Sequence, residues 1–509
     1  MMEGTYIGAI DHGTTGTRFI AFDREGAVVA SAYRRHEQIY PERGWVEHDP
    51  VEIWEDVMET VTRGLATAGL EPSQLAALGI ANQRETTVVW EAETGEPVYN
   101  AIVWQDRRTT DRVAEIRAEE KVEMIRGKTG LECDAYFSAT KIEWLLDNAD
   151  VIEPLRAGEP SLRSRAEAGE LLVGTLDSWL IYKLTGNHVT DVTNASRTML
   201  YNIHDLAWDH ELLEEFDVPE AALPEVRPSS DERAYGRTDP DGFLGAAVPV
   251  AGALGDQQAA LVGQTCFDAG EAKSTYGTGS FYLMNTGEEA VDSDNGLLTT
   301  IGFQQSGEPV QYALEGSAFV TGGAIEWLAD VRLLSDLAAT ASVAREADST
   351  GGVYVVPAFS GLGAPHWDGQ ARGTILGLTR WTEQKHIVRA TLESIAYQTR
   401  DIAEAMEADA GVETTRLRVD GGAVKNDFLC QLQADLLQRD IVRPQVDEAT
   451  ALGAAYAAGL AVGYWDSLDE LRAHWRVDRA FEPDLSGDEA DRKYDRWGDA
   501  VERALNWAD

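Results

Sequence analysis

The run DHGTTGTR, residues 11–18, is the strongest local constraint on what this chain can fold into. Apolar β-formers bracket it, with candidate strands over Tyr6–Ile10 and Arg18–Phe22, and a second turn, DREG, leads into a third strand over Ala27–Ala32. Strand, Gly-containing turn and strand in close succession is the pattern of consecutive hairpins. The run is neither of the two commonest phosphate loops, because no Lys follows the glycines and no helix follows the turn. Gly13 and Gly16 would let backbone N–H groups converge on an anion. Thr14, Thr15 and Thr17 add hydroxyl donors, Arg18 adds a positive charge, and Asp11 at the strand end can approach a Mg²⁺ ion. One such turn alone reads more readily as an ordinary hairpin.

A second copy of the arrangement changes that balance. AKSTYGTGSFYLMNTGE, residues 272–288, is again an apolar strand, a Gly/Thr turn and a strand. Two donor-rich turns can close on one triphosphate from opposite sides. DGGAVKNDF, residues 420–428, follows a strand and precedes an amphipathic helix. A flat base could pass close to the backbone at Gly421 and Gly422, and Asn426 stands where it would either contact the nucleotide or cap the helix. Two hairpins and a Gly-Gly turn form the phosphate 1, phosphate 2 and adenosine pattern of the actin-like ATPase fold. Between them, PVEIWEDVMETVTRGLATAG has helical spacing, with Ile53, Val57, Val61 and Leu65 on one stripe. Helix and strand alternate to about residue 253 and a second cycle then begins, so an α/β fold of two domains is expected, over 1–253 and 254–509, around a central cleft.

The fold does not name a substrate. NQRETTVVW puts Arg84 and Glu85 at the end of a strand, and Trp104 and Tyr136 follow. A small polyol needs carboxylate acceptors and guanidinium donors for its hydroxyls and an aromatic wall for its carbons. GALGDQQAALVGQ places Asp256 and Gln257 where a strand gives way to an apolar helix. Asp256 there is either a helix cap or the general base for an attacking hydroxyl, with Gln257 steadying a second hydroxyl.

Charge and composition narrow the setting. The 87 acidic residues outnumber the 43 basic ones, for a net charge of −44, and they spread along the whole chain. That fits a solvated surface suited to high salt, since molar salt screens self-repulsion over about 3 Å. It argues against nucleic-acid binding, which needs a basic patch. No 18-residue apolar run exists; the most apolar stretch, ALGAAYAAGLAVGYW (451–465), reads as a buried helix rather than a membrane span. Three scattered cysteines, Cys133, Cys266 and Cys430, indicate a reducing compartment without disulfides. MMEGTYIGAID runs into a strand with no signal-peptide pattern, so a cytoplasmic location is expected.

Taken together, the chain resembles the FGGY family of carbohydrate kinases. The matching stretches run in order from residue 11 to about 463, among them DHGTTGTR, IYPERGWVEHDP, NQRETTVVW, AIVWQDRR, YFSATKIEWLLDN, GDQQAALVGQ, TYGTGSF, YALEGSAF, RVDGGAVKND and TALGAAYAAGLAVG. The resemblance implies two ribonuclease-H-like domains hinged around the cleft, with ATP and Mg²⁺ as cosubstrates. It implies phosphorylation of glycerol to sn-glycerol 3-phosphate. By the same resemblance Thr14, Thr15, Gly16, Arg18, Thr278 and Gly322 contact the nucleotide phosphates, and Gly422 and Asn426 the adenosine side. Arg84, Glu85, Tyr136, Asp256 and Gln257 contact glycerol, Trp104 and Phe281 wall it, and Asp256 is the base. Glu326 lies near the nucleotide site where many relatives carry Gln. A homo-oligomer, dimer or tetramer, is expected. Residues 236–250 lack the Gly-rich basic loop that some relatives use to bind a sugar bisphosphate, and the acidic LSGDEADRKYD differs from the docking segment of a transport regulator, so neither regulation is expected. A kinase of another polyol or ketose, or an actin-like or chaperone-like ATPase, stays open as an alternative.

Overall fold

The computed structural model describes residues 5–148, 160–233 and 235–508. The first four residues, where the sequence reading found no signal pattern, lie outside them. Two sheets carry the fold. The first runs Gly236–Arg237, Pro249–Gly255, Leu75–Asn82, Tyr6–Gly13, Gly16–Phe22, Val28–Arg35. Tyr6–Gly13 pairs antiparallel with Gly16–Phe22 on one side and parallel with Leu75–Asn82 on the other. The second runs Leu298–Phe303, Gln311–Ala318, Ser280–Gly287, Ala272–Tyr276, Arg416–Asp420, Asp440–Pro444, Val477–Phe481. Here Ala272–Tyr276 holds the matching place, antiparallel to Ser280–Gly287 and parallel to Arg416–Asp420. The repeat legible in the two Gly/Thr turns is therefore a repeat of sheet topology. The copies diverge beyond the hairpin: Gly16–Phe22 pairs directly with Val28–Arg35, whereas Ser280–Gly287 pairs with Gln311–Ala318 and Leu298–Phe303 lies outside that.

The first hairpin is tighter than the sequence suggests. The ladder continues through Asp11 opposite Arg18, His12 opposite Thr17 and Gly13 opposite Gly16, so only Thr14 and Thr15 form the turn. The conformational freedom expected of Gly13 and Gly16 is not used, since both lie within extended strands. Gly16 is instead a packing requirement: a Cβ there would sit 2.3 Å from the Arg34 carbonyl oxygen and 2.6 Å from the Tyr33 hydroxyl.

Helix Pro50–Ala68 covers one face of the first sheet. Asp49 caps it by accepting from the Val51 N–H, Pro50 sits at its first turn and Gly69 closes it in the left-handed region. Its stripe of Ile53, Val57, Val61 and Leu65 is buried against Phe19, Leu78 and Ile80, as the spacing predicts. The small-residue segment near the C-terminus is helix Ala449–Ala461, buried almost throughout, and it packs on the other face of this first sheet. Among the described residues no helix is long and apolar enough to cross a membrane. All three cysteines are buried and free.

The small side chains of that helix have a steric cause. It crosses helix Asp256–Gly263 so closely that a Cβ on Gly453 would lie 1.8 Å from the Ala259 carbonyl oxygen, and one on Gly263 would lie 1.9 Å from that of Ala449. Gly79 in the first sheet faces Ala454 in the same way, at 2.1 Å. The neighbours are backbone and cannot swing aside. Gly453→Ala is therefore expected to cost about 1–3 kcal/mol, the usual scale of overpacking. A melting curve at fixed KCl checks this, and an unchanged midpoint would contradict the close crossing.

A third, antiparallel sheet runs Glu47–His48, Ala101–Ile102, Thr87–Glu91, Leu171–Thr175; its last three strands are inserted between Leu75–Asn82 and Pro249–Gly255, and Glu47–His48 joins them from before Leu75. Trp104, just past its strand Ala101–Ile102, reaches the first hairpin by donating to the Thr14 hydroxyl at 3.0 Å, which is how the insertion shapes the site.

Candidate active site

The turn at Thr14 is held from behind and from the side. Its carbonyl accepts from His36 Nε2 at 3.0 Å and from Gln38 Nε2 at 2.9 Å, and its hydroxyl accepts from Trp104 Nε1 at 3.0 Å. Thr15 is exposed at the tip. Arg18 is ion-paired with Glu448, next to the start of helix Ala449–Ala461, and lies over the Tyr33 ring. Burial pushes the Asp11 carboxyl up to about 7; Arg18 opposes the shift and Asp256 adds to it. Asp11 and Asp256 therefore feel each other's charge, although one belongs to the first hairpin and the other follows the last strand of that sheet.

Arg84 is the centre of a buried ionic network. It forms a two-pronged pair with Glu315, donates to Gln258 Oε1 at 3.2 Å, and places Nε 3.3 Å from Asp256 Oδ1. Arg197 donates to Glu85 Oε1 at 2.7 Å and to Glu315 Oε1 at 3.0 Å. Burial works to raise the Glu315 carboxyl, but Arg197 and Arg84 outweigh it and hold Glu315 down at about 2. Burial raises Asp256 above the usual carboxylate value, with Arg84 and then Lys273 working against it. Asp256 keeps 27% of its side chain exposed, so it faces open space as well as this network. Glu85 adopts φ 60, a left-handed backbone uncommon outside glycine, and its carbonyl accepts from the Ser138 and Thr87 hydroxyls. Local strain of this kind persists only where the surroundings fix it.

Aromatic rings enclose the same space. Trp104 meets Tyr136 edge-on at 5.5 Å and Phe281 at 6.5 Å, and the Arg84 guanidinium lies 5.7 Å from the Phe281 ring centre. Tyr136 is set by Lys141, whose ammonium donates to the carbonyls of Ala135, Tyr136 and Phe137 at 2.6, 2.7 and 2.9 Å. Gln257 accepts from Lys273 Nζ at 2.6 Å. Phe281 and Lys273 come from the second sheet, so both halves of the chain meet at Asp256.

The second hairpin is closed by Gly322 and Gly323. The Gly322 N–H donates to Gly277 O at 3.0 Å and the Gly323 N–H to Thr278 O at 3.1 Å, and a Cβ on Gly322 would sit 2.5 Å from that Gly277 oxygen. Glu326 is exposed one turn further along the helix that Gly322 opens. At the third element Gly421 has φ 95 and presses on the Tyr276 backbone, while the space over Gly422 is open. Asn426 Oδ1 caps helix Asp427–Leu437 by accepting from Phe428 and Leu429 N–H, which leaves its amide nitrogen for a ligand.

The structure thus brings Arg84, Glu85, Trp104, Tyr136, Asp256, Gln257 and Phe281 together. The residues that sequence reasoning missed are Arg197, Glu315, Gln258 and Lys273. For Arg197 and Glu315 the signal was a charged side chain inside an apolar run, in NASRTMLY and YALEGSAF, which must find a partner once buried; uncharged Gln258 gave no such signal.

Comparison with known proteins follows the same lines. The model of the FGGY family of carbohydrate kinases matches with its N-terminal domain over residues 6–263 and with its C-terminal domain over residues 272–462. Glycerol kinase of Haloarcula marismortui is 72% identical over 507 residues, covering 100% of this chain and 99% of that relative. Glycerol kinase of Petrotoga mobilis is 56% identical over 505 residues, covering 99% of each. Among solved structures, Plasmodium falciparum glycerol kinase with ADP superposes with TM-score 0.91 at 38% identity, over 98% of both chains. A xylulose kinase from Lactobacillus acidophilus shares the fold, with TM-score 0.85 at 22% identity over 98% of this chain and 97% of that one.

Proposed function

The chain belongs to the FGGY family of carbohydrate kinases, and we propose that within it the enzyme transfers the γ-phosphoryl group of ATP to glycerol, giving sn-glycerol 3-phosphate and ADP. The observation that carries this reading is the position of Asp256. It lies 3.3 Å from Arg84 Nε, which is also 3.9 Å from Glu85 Oε1, and the same guanidinium lies 5.7 Å from the Phe281 ring, which with Tyr136 flanks Trp104. Arg84 and Glu85 supply the donor and acceptor that a polyol's hydroxyls need, and Gln257 a further polar contact. Asp256, raised by burial, takes the proton of the terminal hydroxyl, and the freed oxygen attacks the γ-phosphorus as the bond to ADP breaks. Thr14, Thr15, Gly16 and Arg18 on one hairpin, and Thr278 and Gly322 at the other, take the phosphates; Gly422 and Asn426 flank the adenosine, with Glu326 beside them. Arg18 must exchange Glu448 for phosphate as it does so.

Asp11 fits a hard divalent cation: it is an oxygen donor whose carboxyl burial pushes up to about 7, and a cation beside it would favour the ionised form. When bound there, Mg²⁺ supplies charge neutralisation at the phosphates. The division into domains 1–253 and 254–509, a homo-oligomeric state and a cytoplasmic location belong to the same proposal. So does a salt-adapted surface, for which the charge of −44 is the support.

The test is ADP release over a panel of polyols and sugars in molar KCl. Glycerol is expected to give the largest acceleration. A larger effect of a ketose or another polyol would move the assignment within the family, and ATP hydrolysis indifferent to every acceptor would point to an ATPase.

A further inference from the structure

Three histidines distant in sequence, His12, His36 and His48, meet behind the first hairpin. His12 and His36 stack at 5.1 Å, His36 and His48 meet edge-on at 4.4 Å, and their exposures are 0, 7 and 0%. One nitrogen of each ring faces an oxygen: the carbonyl and amide oxygens at His36 and His48 require a proton there, and at His12, whose neighbour is a hydroxyl, the Gln83 N–H on Nε2 leaves the proton on Nδ1. His12 Nδ1 donates to Thr17 Oγ1 at 2.8 Å, His36 Nε2 to Thr14 O at 3.0 Å, and His48 Nε2 to Gln38 Oε1 at 3.0 Å. The remaining nitrogens, His12 Nε2, His36 Nδ1 and His48 Nδ1, therefore carry lone pairs.

The Gln83 side-chain amide stands between two of these. Its nitrogen donates to His12 Nε2 and to His48 Nδ1, both at 3.2 Å, while the Thr86 hydroxyl holds its oxygen at 3.0 Å. The third lone pair, on buried His36 Nδ1, has no hydrogen-bond partner among the described residues. Neutral imidazoles with one nitrogen anchored by an oxygen acceptor and the other free form the pattern of metal-ligating histidines, in which the outer hydrogen bond sets tautomer and ring orientation.

We propose that His12, His36 and His48 form a binding site for a transition metal of the Zn²⁺ class, entered when the Gln83 amide swings aside. Three imidazoles select Zn²⁺, Co²⁺, Ni²⁺ or Cu²⁺ over Mg²⁺, which prefers oxygen. One ligand atom from each ring lies within 4.8 Å of the others. Tetrahedral zinc at about 2.0–2.1 Å from nitrogen sets its ligands roughly 3.3 Å apart, so the rings close by about 1.5 Å at most. The site is independent of the phosphoryl-transfer reading, although His36 also anchors the Thr14 carbonyl and metal would act on that turn.

The test uses untagged, full-length protein freed of metal by a chelator and titrated with Co²⁺. One equivalent per chain is expected, with the visible d–d bands of a tetrahedral site, and Zn²⁺ displaces it. His36→Ala should abolish the bands and weaken binding by at least about tenfold; His36→Phe, which keeps a ring in place, gives the same result should the first variant not fold. Gln83→Ala should retain or tighten binding, because the competing amide is gone. Exposed His210→Ala should change nothing. Absence of stoichiometric Co²⁺ binding to the wild-type protein, or equal binding by the folded His36 variant, would overturn the proposal.

Discussion

Asp256→Asn is expected to lower kcat by about 10²–10⁴-fold, the scale of lost general-base catalysis, while glycerol still binds. The two parts separate because the side chain has two jobs. As a neighbour of Arg84 it helps set the guanidinium, but Arg84 keeps its pair with Glu315 and its bond to Gln258 without it. An amide is close in size to the carboxylate, so the pocket under Trp104 and Phe281 keeps its shape. What the amide cannot do is accept the hydroxyl proton. Turnover measured by ADP release, beside a glycerol dissociation constant from calorimetry, resolves the two. Near-wild-type turnover would remove Asp256 from the role of base, and loss of glycerol binding with kcat unchanged would make it a binding residue alone.

Glu315→Gln should be the most destabilising conservative charge change at the site. Glu315 is 1% exposed and faces two buried guanidinium groups, Arg84 and Arg197. Removing one member of a buried ionic set leaves the rest undercompensated, at a typical cost of about 3–5 kcal/mol. The acid limb of stability carries the same information. The folded carboxyl, held at about 2 against an ordinary 4.5, contributes stability that is present above pH 4.5 and is lost as the pH falls toward 2. The variant should lack that component. Thermal midpoints across pH check both statements, with exposed Glu413→Gln as the near-neutral reference. Equal midpoints for Glu315→Gln and wild type at pH 7 would contradict the network. Activity should fall as well, since the same pair orients Arg84, the proposed glycerol contact.

Much of the frame was legible because it rests on local chemistry. The Gly/Thr turns, the stripe of Ile53, Val57, Val61 and Leu65, and the strand before Gly421 declare themselves within a few residues. The duplication was legible through the two hairpins, not through residue identity. What was hidden depends on long-range contact. Gly16 is small because the Arg34 backbone crosses it, and Gly453 because helix Asp256–Gly263 does; neither reason exists within the local sequence. The proposed substrate contacts Arg84 and Glu85 could be named, yet the members that hold them, Glu315 and Arg197, lie more than a hundred residues away from them. Asn426 shows the opposite limit: capping and ligand contact were both open from sequence, and its oxygen caps.

The most direct test follows the phosphoryl group itself. Purified enzyme in molar KCl is given glycerol and ATP labelled at the γ-position, and the label is traced while a stereospecific dehydrogenase reads the product. Transfer by Asp256-assisted attack predicts label in sn-glycerol 3-phosphate, one for one with ADP, and little in free phosphate. Label released as inorganic phosphate at the same rate with and without glycerol would contradict it.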